Sequence, residues 1–148
     1  VSRRRLPLIA LGILIFLAIS LLLARYLTTE NRERDAVYAL LRDQARGDAA
    51  AMIGRLDGCA ADPGCRARVQ RDALGLRRPG AVKILAYDSS TAYALGHARG
   101  LTRVAWTVVD RGLPVVQCVD VERTGNVLAG RGISLRRLSL PIDRTGTC

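Results

Sequence analysis

The sequence predicts an α+β domain held behind an N-terminal membrane-spanning helix. Three observations carry that reading. Leu6 to Ala24 is a run of nineteen residues without a charge. From Glu30 to Leu74 apolar residues recur at helical spacing. From Ala81 onward the pattern changes to alternation in steps of two, broken by turn residues. Helices first and strands afterwards place helices on one face of a curved antiparallel sheet.

The apolar run comes first. As a helix it is about 28 Å long, which matches the hydrocarbon thickness of a bilayer. A buried core helix would keep polar residues on one face, and Leu6–Ala24 has none. A cleaved signal would be shorter and end in a small-x-small site, whereas this run leaves through Ala24-Arg25-Tyr26-Leu27. An uncleaved anchor is expected. Arg3, Arg4 and Arg5 precede it without acidic company, while Arg25, Arg32 and Arg34 are mixed with Glu30, Glu33 and Asp35. The positive-inside bias therefore puts residues 1–5 in the cytoplasm, 6–24 in the membrane, 25–29 in a short juxtamembrane linker and 30–148 outside the cytoplasm.

Thr28-Thr29-Glu30 reads as an N-cap with an acidic first turn. The helix it opens carries Val37, Leu40, Leu41 and Ala45 on one stripe, with Arg34, Asp35, Arg42 and Asp43 off it. Gly47 ends it and Asp48 caps a second helix bearing Met52, Ile53 and Leu56. Asp62-Pro63 opens a third, with the proline in the first turn. Strands are expected at Ala81–Tyr87 and Thr91–Ala98 as a hairpin, then at Leu101–Val109, Leu113–Arg123 and Gly132–Ile142. In the last of these Ile133 and Leu135 share one parity and Leu138 and Leu140 the other. Arg136-Arg137 marks the slip, a β-bulge.

Four cysteines, Cys59, Cys65, Cys118 and Cys148, follow the anchor. An even number beyond a membrane anchor suits disulfides, and three pairings are open. Cys59–Cys65 would close the short Ala-Ala-Asp-Pro-Gly loop, and Cys118–Cys148 would tie the C-terminus to the sheet; this pairing is favoured. No C-x-x-C is present and His97 is the single histidine, so neither a zinc site nor a catalytic thiol is expected.

The order of three helices, with the Ala45-Arg46-Gly47-Asp48 break and a Pro63 start, followed by LTRVAWTVV and LPVVQCVDVERT, resembles the NTF2-like (cystatin-like) superfamily over about Glu30 to Ile142. The resemblance implies a sheet curved into a cone around its helices. Membrane-anchored versions look like assembly subunits of bacterial secretion, conjugation or lipid-uptake machines; other members are isomerases. Lys83 is the only lysine among 23 basic residues, as in a high-GC genome, which suits an anchored domain of the kind found in high-GC Gram-positive bacteria.

Candidate chemistry is sparse. Asp120, with Tyr87, Tyr93 and Trp106, would be the pocket set if the cone holds a small ligand or an isomerase site. Asp120 and Glu122 share a strand side with Val116 and Cys118, and a strand end emerging into solvent beside Arg123 explains them as well. Arg77, Arg78, Arg131, Arg136 and Arg137 are candidates for a basic surface. The net charge of +10 favours anionic partners. Nucleic acid is not expected, because no aromatics interleave the arginines. No nucleotide, metalloprotease or hydrolase motif occurs, so no catalytic residue, metal or cofactor is assigned. The expected function is a non-catalytic interaction or assembly module at the membrane. Its partners would be the bilayer and another envelope protein or a second copy, with anionic lipid or wall polymer as a further candidate.

Overall fold

The computed structural model describes residues 5–91, 96–109, 111–126 and 130–148. Three helices, α1 (Arg5–Arg46), α2 (Ala49–Arg55) and α3 (Pro63–Gly75), precede four strands, β1 (Val82–Ser89), β2 (Ala98–Val108), β3 (Arg111–Asn126) and β4 (Gly130–Leu138). The strands form an open antiparallel sheet in the order β1-β2-β3-β4.

α1 is a single helix of 42 residues, long and apolar enough by length and composition to cross a membrane. Its most apolar window has a mean hydropathy of 2.8 and no part of it is buried. The linker expected at Arg25–Thr29 is helical and continuous with α1, and Thr28 is not a cap. A cap needs a non-helical residue before it, but here the apolar run has already nucleated the helix, and extension needs only one further hydrogen bond per residue. The Thr28 hydroxyl donates back to the Ala24 carbonyl at 2.7 Å, inside the helix.

The helix stops where the sequence says it should. Gly47 has a φ of 77°, and its N–H bonds to the Gln44 carbonyl while that of Asp48 reaches Asp43, which closes a Schellman turn. The Asp48 carboxylate accepts from the Ala51 N–H at 2.9 Å and starts α2. Asp62 accepts from the Gly64 N–H at 2.8 Å and starts α3 with Pro63 in its first turn. Cys59 is joined to Cys65 and Cys118 to Cys148, the favoured pairing.

The hairpin expected between 81–87 and 91–98 is replaced by direct pairing of β1 with β2, from Val82↔Val108 to Ser89↔Thr102. Residues 92–95 lie outside the described residues. Thr91 is buried in a turn because its hydroxyl is drawn to Glu33. Strand β2 begins at Ala98 and takes the place beside β1. In β4 the register with β3 slips at Arg136, since Leu135 faces Val121 and Arg137 faces Asp120. That bulge turns Leu135 and Leu138 to the same buried side. Leu140, expected to share the Leu138 parity inward, is exposed because the strand has ended. A second bulge at Leu85 does the same for Ile84 and Tyr87 in β1.

The core lies between the helices and one face of the sheet. Val37, Leu40 and Leu41 of α1 meet Met52 and Val69 of the shorter helices, and Val104, Trp106, Val119 and Leu135 of the strands. Beyond β4 the chain continues along β3, with Ile142 bonding to Val116, and then crosses the outer face of the sheet. Arg103 holds the carbonyls of Arg144 and Gly146, and Cys148 is bonded to Cys118.

Candidate functional site

The densest polar constellation is buried under α1. Glu33 falls on the stripe of Val37, Leu40 and Leu41, one turn before Val37, so the helix delivers its carboxylate to the sheet. Arg123 is at an inward position of β3, in phase with Val119 and Val121. The two side chains are 0% and 1% exposed. Arg123 donates from Nε to Glu33 Oε2 at 2.7 Å, and its Nη2 is 2.5 Å from the same oxygen. Thr91 donates to Oε2 at 3.0 Å, while Tyr87 at 2.7 Å and Thr102 at 3.0 Å donate to Oε1. Donors thus arrive from β1, the turn after it, β2 and β3. Arg34 lies over the Tyr87 ring, 5.2 Å from its centroid.

Burial alone would raise the Glu33 carboxyl, but the Tyr87 and Arg123 hydrogen bonds and the Arg123 charge overcome it and hold the group below its ordinary value. Burial and the adjacent Glu33 charge push the Tyr87 hydroxyl well above its own. A carboxylate offers about four lone-pair sites. The Tyr87, Thr91, Thr102 and Arg123 donors occupy them all, and the group is sealed from solvent, so it has no free valence for proton transfer. Its role is to fasten α1 to the sheet. A second buried carboxylate, Asp43, is bonded to Arg46 and Arg55 and pins α2 to α1. The sequence pattern had placed Asp43 off the stripe and Arg123 at a solvated strand end; both are interior.

The described members of the expected pocket set, Tyr87, Trp106 and Asp120, do not come together. Trp106 is fully buried, its indole N–H donating to Gln117 Oε1 at 2.9 Å, so it is core. Tyr87 is committed to Glu33 on that same inner face. Asp120 is on the opposite face, gripped by Arg99 through Nε at 3.0 Å and Nη2 at 2.6 Å. The Arg99 hydrogen bond, opposed by partial burial, keeps its carboxyl low. Tyr93 lies outside the described residues. Glu122 is 3.4 Å from Arg136, and exposed His97 is 3.8 Å from Glu122. An open groove between α2, α1 and β4 is lined by Ala36, Gly54, Arg55 and Ile133. Its charged members are already paired, Arg55 with Asp43 and Asp57 with Arg136. No group of His, Cys, Asp and Glu able to hold a metal occurs among the described residues.

The five candidate basic residues divide. Arg136 is neutralised by Asp57 and Glu122, and Arg137 extends from the outer edge. Arg77 and Arg78 lie together at the far end of α1, where Arg77 packs on Gly47 and the Arg78 N–H bonds to the Ala45 carbonyl. The Arg131 side chain lies outside the described residues. The Glu33 cluster is the group that sequence reasoning missed. The available signal was a carboxylate on an apolar helical stripe and an arginine on the inward parity of a strand, two misfits of opposite charge. No family model matches the chain, and no curated protein or solved structure matches it.

Proposed function

We propose that the chain is a membrane-anchored interaction module of a bacterial envelope, without catalytic activity, which holds its domain outside the cytoplasm as part of a secretion, transport or other envelope assembly. The observation that supports this most is α1. One unbroken helix carries both the exposed apolar run and the stripe that is locked into the domain core through Glu33. A domain joined to a bilayer in that way has a set height and orientation, which suits assembly with neighbours. The two disulfides suit an oxidising compartment. The charge asymmetry around the anchor supports an N-terminus in the cytoplasm. The helix-then-meander order supports a relation to the NTF2-like superfamily. The small-ligand or isomerase reading has less behind it, because Trp106 and aliphatic side chains fill the space it needs.

The test uses the full chain in bacterial cells. Resistance to alkaline carbonate extraction, with the domain digested by protease added to intact protoplasts, is the expected result. Extraction by carbonate, or protection of the domain until the cells are lysed, would refute the anchoring and the topology respectively. In-cell crosslinking that returned only monomer would refute the interaction role.

A further inference from the structure

Among the described residues most acidic side chains of the sheet have a basic partner, whereas one stretch of basic residues has no ion pair. Glu33, Asp43, Asp57, Asp88, Asp120 and Glu122 each have a basic partner. From Arg66 to Lys83 the sequence has six basic residues and a single acid, Asp72, which is itself buried. None of the six forms an ion pair among the described residues. Arg66, Arg71 and Arg78 spend hydrogen bonds on the carbonyls of Ala60, Ala67 and Leu113, and Asp72, which feels the charges of Arg71 and Arg68, is the one acid set against the stretch. Most of the domain's surplus charge is thus concentrated on α3 and the turn that follows it.

This patch has an apolar centre. Leu74 and Leu113 are 74% and 68% exposed, the highest values among large apolar side chains beyond the anchor in the described residues. Leu113 is beside Arg78, whose guanidinium holds its carbonyl at 2.9 Å, and Leu74 is in the last turn of α3, which leads through Leu76 and Arg77 into Arg78. Arginine around exposed leucine is the composition of a protein interface rather than of a purely electrostatic polymer site.

Its position decides between partners. The Arg78 N–H is bonded to Ala45, 21 residues beyond the end of the apolar run at Ala24. At the rise of an α-helix that is roughly 32 Å, and even a 40° tilt of the anchor leaves about 24 Å. The charge of a bilayer surface decays over about 8 Å at physiological salt, so anionic headgroups cannot be what this end of the domain meets. A second copy is disfavoured too, since a self-complementary contact would oppose two patches of the same strong positive charge.

We infer that the membrane-distal end of the domain, centred on Leu74 and Leu113 and ringed by Arg71, Arg77 and Arg78, docks an acidic protein surface with an apolar centre. This rests on the anchored reading above for its direction, and names the class of partner that such a module takes.

The test places a photo-crosslinking amino acid at Leu74 or Leu113 of the full chain in cells, with Leu101 and Leu140 as control positions elsewhere on the domain. Arg71→Glu/Arg77→Glu is the charge-reversal variant; its fold is verified by buried Trp106 fluorescence and by unreduced disulfide mapping. The expected result is one discrete protein adduct from 74 and 113, absent from 101 and 140, and reduced at least tenfold in the reversed variant. No adduct, an adduct indifferent to charge reversal, a self-adduct or a lipid adduct would overturn the inference. So would charge-dependent binding of purified chain to polyphosphate with no protein adduct in cells, which points to a polymer instead. The outcome is separable from anchoring: a carbonate-resistant, protease-accessible chain with no adduct strikes this inference alone.

Discussion

Replacing Glu33 with Gln is the most direct probe of how the long helix α1 is joined to the sheet. The substitution keeps the volume and one oxygen acceptor, but removes the charge facing Arg123, which is 1% exposed. Leaving one member of a buried ion pair uncompensated costs about 3–5 kcal/mol. Tyr87, Thr91 and Thr102 would also compete for fewer acceptor sites, at about 1–3 kcal/mol for any hydroxyl left unsatisfied. A domain of this size is stable by about 5–15 kcal/mol, so the variant should fold but unfold at much lower denaturant. Urea titration of the full chain in detergent micelles measures this, with fluorescence of Trp106, the sole tryptophan, reporting on the domain core alone. Pairing E33Q with Arg123→Met completes a double-mutant cycle, in which the double variant should recover most of the loss. A loss below about 1 kcal/mol for E33Q, or strictly additive singles, would refute the claim that this pair fastens α1 to the sheet.

Other expectations follow from the same geometry. The Glu33 carboxyl titrates lower in the fold than its ordinary 4.5, so its contribution is full above that value and is lost as pH falls through the lowered one. Stability followed from pH 7 to pH 3 should drop on the acid side, and E33Q should flatten that limb; an unchanged limb would contradict the assignment. Tyr87 is raised above its ordinary 10.0, so the fold should weaken as pH climbs beyond that value, and Tyr87→Phe should remove the alkaline loss. The Cys118–Cys148 bridge spans 30 residues and Cys59–Cys65 spans 6. Loop entropy therefore assigns about 3.6 kcal/mol to the first and about 2.2 kcal/mol to the second, an order that urea midpoints of the paired Cys→Ser variants can check. Thr28→Pro breaks α1 between its apolar run and the domain, which should raise hydrogen exchange around residues 22–32. The Trp106 transition should move by less than about 1 kcal/mol, because Thr28 is outside the core.

Much of the fold is legible because its signals are local. The Gly47 stop, the Asp48 and Asp62 caps and the α+β order depend on backbone chemistry within a few residues. The Arg136 bulge is visible as a change of parity within one strand. The expected hairpin of 81–87 with 91–98 was not legible as wrong, because β1 pairs instead with 102–108 and Thr91 is held by Glu33, 58 residues earlier. The separation of Trp106 from Asp120 was hidden for a similar reason. Trp106 and Asp120 are both strand residues of the right type, and only the register of β2 against β3 puts them on opposite faces.

The sequence by itself determined that an uncharged run of bilayer length leads into a domain of helices and then strands, with cysteines spaced for two bridges. Those are properties of composition and short-range spacing. The structure alone decided that the apolar run and the first domain helix are one continuous helix, since a cap at Thr28 forms only if the chain before it is not helical. It also decided that Glu33 and Arg123, ninety residues apart, neutralise each other in the core. Opposite charges at inward positions are each unfavourable alone, and only the packing of α1 on the sheet brings them within bonding distance.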